Sequence, residues 1–290
     1  MSTFDGFIEE FPSIRIDRFT ALLGRPAPLA GFLSHVHSDH LVGLESFRSP
    51  FVYCSAATRE LVLKLEKFPN RMNFQKGILE CRRQTYKHLQ KLLKPLPLDT
   101  PVKIELCPGN AIQVTLLDAN HCLGAVMFLV QGGGKAILYT GDLRCETWWI
   151  DSLVRHPSII QYTTGHQSLD KIYLDTTFAV KKDPYRKFPS KAEGVRELLS
   201  KISRYPPETI FYFNAWTFGY EEVWRTLATV LDTTIHLDPY RHGIYTSIRK
   251  ADGVLSPEEV PALCGFKAGN LPQVSLLQLA CYIPIRSMGL

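Results

Sequence analysis

Short apolar runs broken by turn residues dominate the first half of the chain. "LAGFLSHV" (29–36), "FVYCS" (51–55), "PVKIEL" (101–106), "IQVTLLDANH" (112–121), "AVMFLV" (125–130) and "KAILYTGDL" (135–143) predict strands. The glycines of "QGGGKA" (131–136) predict a hairpin turn between the last two. "AATRELVLKLEKF" (56–68) predicts a helix, with Leu61, Leu63 and Leu65 set among charges. After "KIYLDTTF" (171–178) the character shifts, and "VKKDPYRKFPSKAEG" (180–194) is a polar, proline-bearing connector. Ser190 and Glu193 form a capping-box pattern, and Val195, Leu198, Leu199 and Ile202 follow at helical spacing. "ETIFYFNAWTFG" (208–219) predicts a strand ending in a glycine turn, and "YEEVWRTLATVL" (220–231) a helix. This alternation suggests an inserted α/β unit.

The 290 residues suffice for one large domain or two ordinary ones, and 45% hydrophobic against 21% charged is a globular composition. There is no apolar stretch of about 18 residues to span a membrane. The acidic N-terminus, "MSTFDGFIEEFPS", lacks the charged-then-apolar pattern of a secretory signal. The seven cysteines are scattered without a C-x-x-C pair, which predicts a reducing compartment and no disulfide framework. The net charge of +5 permits a phosphate-bearing partner without demanding one. Between 64 and 94, Lys64, Lys67, Arg71, Lys76, Arg82, Arg83, Lys87, Lys91 and Lys94 outweigh Glu66 and Glu80. That segment reads either as a solvated surface or as a footprint for phosphates.

The densest chemistry lies in "FLSHVHSDHLVGL" (32–44), where His35, His37, Asp39 and His40 fall within six positions. In an extended segment His35 and His37 share a face and can reach one metal, while Asp39 and His40 can reach a second. Packing alone does not explain such crowding, because imidazoles brought together repel when charged. One motif cannot close two metal sites, so further ligands must come from other strand ends. His121 and Asp142 each follow an apolar strand at a small-residue turn, and Asp142 could bridge two metals. Asp17, in "SIRIDRF", is placed to orient the cluster from behind. Alone, His121 would be an ordinary half-buried histidine, Asp142 a turn former and Asp17 unremarkable; the cluster gives them weight.

In this order, "SHVHSDH", "NHCLGAVMF" and "LYTGDLR" resemble the metallo-β-lactamase metal motifs. "YLDTTF" resembles the first motif of the β-CASP nucleases, with the ending typical of the DNA-repair branch. "FPSIRIDRF" and "FNAWTFGYEEVW" resemble the Artemis branch of the Artemis, Apollo and Pso-type DNA cross-link repair nucleases, over roughly residues 1–268. The resemblance implies an α/β fold: a metallo-β-lactamase αββα sandwich (1–178) with an inserted β-CASP cap (179–290). It implies a first zinc on His35, His37, His121 and Asp142. A second zinc or other divalent metal would sit on Asp39, His40 and Asp142. Asp39, Asp175 and Asp17 would serve the reaction, and Thr176, Thr177 and Tyr220 would meet substrate. The implied activity is hydrolysis of DNA phosphodiesters, from a 5′ end or at hairpins and overhangs. The implied setting is nuclear double-strand-break and cross-link repair, with DNA ends and end-joining proteins as partners.

Trp216 stands where Artemis-like chains often carry a phosphate-meeting lysine. "PALCGFKAGN" still resembles the family, whereas "LPQVSLLQLACYIPIRSMGL" does not, and the expected later histidine motifs and closing strands are missing. That pattern is expected of a truncated gene product. Three alternatives stand beside the DNA nuclease. A small-molecule hydrolase of the same fold is opposed by "YLDTTF", and an RNA-processing β-CASP enzyme is opposed by its TTF ending and the N-terminus. The third is a catalytically inactive DNA-binding form.

Overall fold

The computed structural model describes residues 4–21, 24, 26–67, 83–179, 188–206, 209–213, 218–232, 235–237 and 239–249, with the strands at 266–268 and 281–284. The chain divides into two compact units, Met1–Asp175 and Thr176–Leu290.

In the first unit, strands β1 (Ile14–Ile16), β2 (Ala30–Phe32), β3 (Val52–Ser55) and β6 (Leu93–Leu96) form one sheet in that order, every neighbour parallel. A two-strand ribbon, β4 (Glu66–Lys67) with β5 (Arg83–Gln84), lies between β3 and β6 in the chain. The second sheet is β11 (Lys171–Tyr173), β10 (Lys135–Tyr139), β9 (Val126–Gly132), β8 (Asn110–Asp118) and β7 (Val102–Cys107), in that spatial order. It is antiparallel except where β10 meets β11. Gly132 pairs with Lys135, so Gly133 and Gly134 alone make the turn, both at positive φ (56° and 78°). That is the two-residue hairpin the glycines predict.

Alternation along the strands decides which face each side chain joins. Val114, Leu116, Val126, Phe128, Val130 and Ile137 point inward and share one buried core with Ile14, Ile16, Ala30 and Phe32 of the first sheet. Phe32 and Phe128 meet edge to face across it, ring centroids 5.5 Å apart. Leu117, Met127, Leu129 and Leu138 point outward. They are covered by Trp149 of helix α2 (Thr147–Leu153) and by Ile159, just before α3 (Ile160–Thr163). β9 is thus buried on both faces, which is why its sequence is a continuous apolar run.

Among the described residues the remaining α-helix of this unit, α1 (Ala56–Lys64), is shorter than the 56–68 expected. It buries Ala57, Thr58, Leu61 and Val62, one true helical face. Leu63 and Leu65, two apart, do not share that face, and Leu65 has already left the helix in extended conformation. The strand expected over 29–36 likewise stops at Phe32, leaving the histidine cluster in a loop.

In the second unit, α4 (Lys191–Ile202) starts with both halves of the capping box: Glu193 N–H donates to Ser190 Oγ, and Ser190 N–H to Glu193 Oε2. It is followed by β12 (Ile210–Phe213), α5 (Glu221–Val230), β13 (Ile235–Leu237) and α6 (Pro239–Arg249). A sheet in the order β12, β15 (Cys281–Pro284), β13, β14 (Phe266–Ala268) completes it, so part of the divergent C-terminal stretch is a strand. The connector at 180–187 lies outside the described residues.

Candidate metal centre

Three loops bring the chemistry together. The loop after β2 carries His35, His37, Asp39 and His40. The loop after β8 carries His121, and the turn after β10 carries Asp142. His35, His37, His121 and Asp142 each offer one ligand atom, all within 4.8 Å of one another. His37 Nδ1 lies 3.0 Å from His35 Nε2 and 3.1 Å from His121 Nε2. Asp142 Oδ2 lies 3.7 Å from both His35 Nε2 and His121 Nε2. Tetrahedral zinc with ligands at about 2.0–2.1 Å would space its donors by about 3.3 Å, in the middle of that range. Three ring nitrogens aimed at one point also cannot satisfy each other, because a single proton on His37 Nδ1 serves only one neighbour. The donor set therefore fits a cation.

Electrostatics prepares it. Burial, with His40, His121 and His37 nearby, holds His35 well below the usual imidazole range. Burial likewise pushes His121 down to about 4, so both rings are neutral at pH 7 and keep a lone pair to give. Burial works to raise Asp142, but its hydrogen bond and charge interaction with His40, helped by His35 and His121, outweigh it and hold the carboxyl far below the usual range.

A second group adjoins the first. His40 Nε2 faces Asp142 Oδ1 at 3.2 Å and Asp39 Oδ2 at 3.7 Å. Asp142 thus turns one oxygen to each group. Burial lowers His40, but Asp17 and Asp142 prevail and raise it to about 10.

Asp17 is buried, 1% exposed, at φ 60°. Its Oδ1 accepts Ser34 N–H at 2.7 Å; its Oδ2 accepts Ser34 Oγ at 2.6 Å and His40 Nδ1 at 2.9 Å. With the Ser34 hydroxyl proton given to Asp17, His35 Nδ1, 2.9 Å from Ser34 Oγ, must donate. The ring's Nε2 then presents its lone pair to the centre. A Cβ on Gly141 would come within 2.9 Å of Ser34 Oγ, so the Asp142 turn presses directly on this support. Asp175 is half-buried, with its N–H on Thr140 Oγ1 at 3.0 Å, and its charge reaches His121.

Thr176, Thr177 and Tyr220 belong to the second unit. Both threonines are exposed, and the Tyr220 ring, also exposed, lies tilted over Trp224 at 6.0 Å. Trp216, Arg71, Lys76 and Arg82 lie outside the described residues. Of the other basic residues, Lys67 pairs with Glu45 and Tyr86, and Lys94 lies over Phe51. Sequence reading missed Ser34 and Thr140, whose hydroxyls hold His35 and Asp175; nothing in the neighbouring residues marks them.

Fold and centre together define a mixed α/β protein whose strand-end loops converge on a group of side chains that could hold a metal ion. Comparison with known proteins narrows the class. The family described as "Anti-Pycsar protein Apyc1" matches residues 29–169. Protein artemis of Rattus norvegicus is 33% identical over 259 residues, 82% of this chain and 33% of that protein. The 5′ exonuclease Apollo of Gallus gallus is 32% identical over 72% of this chain and 38% of its own. DNA cross-link repair 1A protein of Homo sapiens is 31% identical over 73% and 17%. The chain belongs with these proteins to the metallo-β-lactamase/β-CASP nuclease family. It spans about a third of the length of the artemis relatives it matches.

Proposed function

We propose that this chain is the metal-dependent hydrolytic part of a DNA nuclease that cuts phosphodiester bonds at DNA ends, overhangs or hairpins. The observation that carries the reading is the convergence of His35, His37, His121 and Asp142, with Asp142 also facing His40. His35, His37, His121 and Asp142 would hold a zinc ion, and Asp39, His40 and Asp142 a second zinc or other divalent metal. When bound, such cations supply Lewis acidity and charge neutralisation to a phosphodiester. Asp39 and Asp175 would orient water and the scissile phosphate beside them, and Asp17 would act through His40. Thr176, Thr177 and Tyr220 would meet the substrate strand, and exposed basic residues would grip its backbone without reading sequence.

The two sheets sharing one core, with helices on the outer face of the second, support a metallo-β-lactamase αββα sandwich in the first unit. The second unit would be the β-CASP cap. Relatives named for cross-link repair and for 5′ exonuclease action support a repair role on DNA; such a role would be carried out in the nucleus, beside end-joining proteins. The test is cleavage of 5′-phosphorylated single-stranded and hairpin DNA by purified protein, with and without chelator. Cleavage should vanish with chelator and in His35→Ala; cleavage that survives His35→Ala rules this centre out as its source.

A further inference from the structure

His121 is the ligand whose support was least visible in the sequence. It sits between two residues with left-handed backbone, Asn120 at φ 52° and Gly124 at φ 77°. Backbone bonds close the loop on itself: Ala125 N–H donates to Cys122 O at 3.0 Å and Ala119 N–H to Ala125 O at 3.2 Å. Neither fixes the loop against the rest of the unit. Two hydroxyls at the start of α1 do. Ser55 Oγ donates to Gly124 O at 2.7 Å, and Thr58 Oγ1 donates to the same oxygen at 2.8 Å.

The arrangement is specific. Ser55 is the N-cap of α1 and accepts Thr58 N–H at 3.1 Å, which leaves its hydroxyl proton for Gly124. A helical threonine commonly donates to a carbonyl one turn back; Thr58, fully buried, gives its proton to Gly124 instead. Gly124 must lack a side chain, since a Cβ there would lie 2.8 Å from Thr58 N and 2.9 Å from Ala57 Cβ. On its other side the loop is tied to the Asp142 turn. Asn120 Nδ2 donates to Arg144 O at 2.9 Å, and Arg144 N–H to Ala119 O at 3.1 Å.

We infer that Ser55 and Thr58 are positioning residues of the metal centre, which set His121 by clamping the Gly124 carbonyl. The inference rests on the metal reading above. Neither residue touches the reacting region; each acts on His121 through three residues of backbone. Partners that hydrogen-bond a ligand directly change metal affinity by about 10–100-fold when removed, and a clamp that acts through the backbone belongs at the low end of that range.

The experiment uses the full chain stripped of metal and zinc as the probe, with affinity measured by competition against a chromogenic chelator. Thr58→Val should weaken zinc binding about tenfold, and Thr58→Ser, which keeps the hydroxyl, should restore it. Thr115→Val, which removes a buried hydroxyl elsewhere in the same unit, should leave affinity unchanged. If Thr58→Val does not fold, Ser55→Ala removes the other donor and is read the same way. Wild-type zinc affinity in a folded Thr58→Val or Ser55→Ala protein, alongside loss of binding in His121→Ala, overturns the clamp and spares the metal reading. Failure of the unaltered chain to take up zinc overturns both.

Discussion

Replacing Asp17 by Asn separates charge from shape at the most deeply set carboxylate of the centre. Asp17 accepts three donors on two oxygens: Ser34 N–H, Ser34 O–H and His40 Nδ1–H. An asparagine carbonyl can keep Ser34 N–H, but its amide then faces Ser34 Oγ and His40 Nδ1. The hydroxyl can turn and accept. His40 cannot, unless its proton moves to Nε2, the atom that faces Asp142 and Asp39 and would give a lone pair to the second metal. Leaving a buried donor unpaired costs about 1–3 kcal/mol, and breaking a buried charge pair about 3–5. Asn retains some hydrogen bonding, so a loss of about 3 kcal/mol at pH 7 is expected in the metal-free protein. The pH dependence has a definite sign. His40 titrates at about 10 when folded against 6.5 for the ordinary group. Its favourable contribution is therefore complete below 6.5 and lost as pH rises towards 10. Urea unfolding in chelator at pH 6.5, 8 and 10 should show wild-type stability falling across that window and Asp17→Asn falling less. Zinc titration of the same variant should show uptake at the His40 position weakened. An Asp17→Asn protein with wild-type midpoints at all three pH values and wild-type zinc uptake would refute the assignment.

Gly124→Ala places a Cβ against Thr58 at a φ of 77°. It should cost about 1–3 kcal/mol in urea unfolding and weaken zinc binding together. Thr115 Oγ1 is buried without a hydrogen-bond partner among the described residues, so the nearly isosteric Thr115→Val should raise stability by about 1 kcal/mol, read as a higher melting temperature. Glu221 is buried beneath Gly219 N–H and Tyr245 O–H, and burial, outweighing those bonds, raises its pKa from 4.5. A raised carboxyl contributes fully below 4.5 and loses that contribution as pH climbs through its folded value. Glu221→Gln should therefore raise the unfolding midpoint more at pH 8 than at pH 4, and equal changes would contradict this.

The candidate metal group was legible because crowded imidazoles and a carboxylate have few other uses, and the structure does bring His35, His37, His121 and Asp142 together. His35, His37 and His40 announced a centre, and His121 and Asp142 were found by asking which strand ends could complete it. Apolar runs gave most strands of the first unit, since β8, β9 and β10 are buried deeply enough to need them. The hydroxyls were not legible. Ser34, Ser55, Thr58 and Thr140 are common residues whose roles depend on partners such as Gly124, 69 and 66 positions from Ser55 and Thr58. The end of α1 was missed for a related reason: leucines at every second position mimic helical content without making a helical face.

The strand that leads to the histidine cluster and the strands that lead to His121 and Asp142 belong to different sheets. An ion gripped by all four side chains is therefore a rivet through two layers. On the proposed metal reading, whatever prises the layers apart would first have to pull that rivet, and the free concentration of the cation would set how firmly the seam is shut.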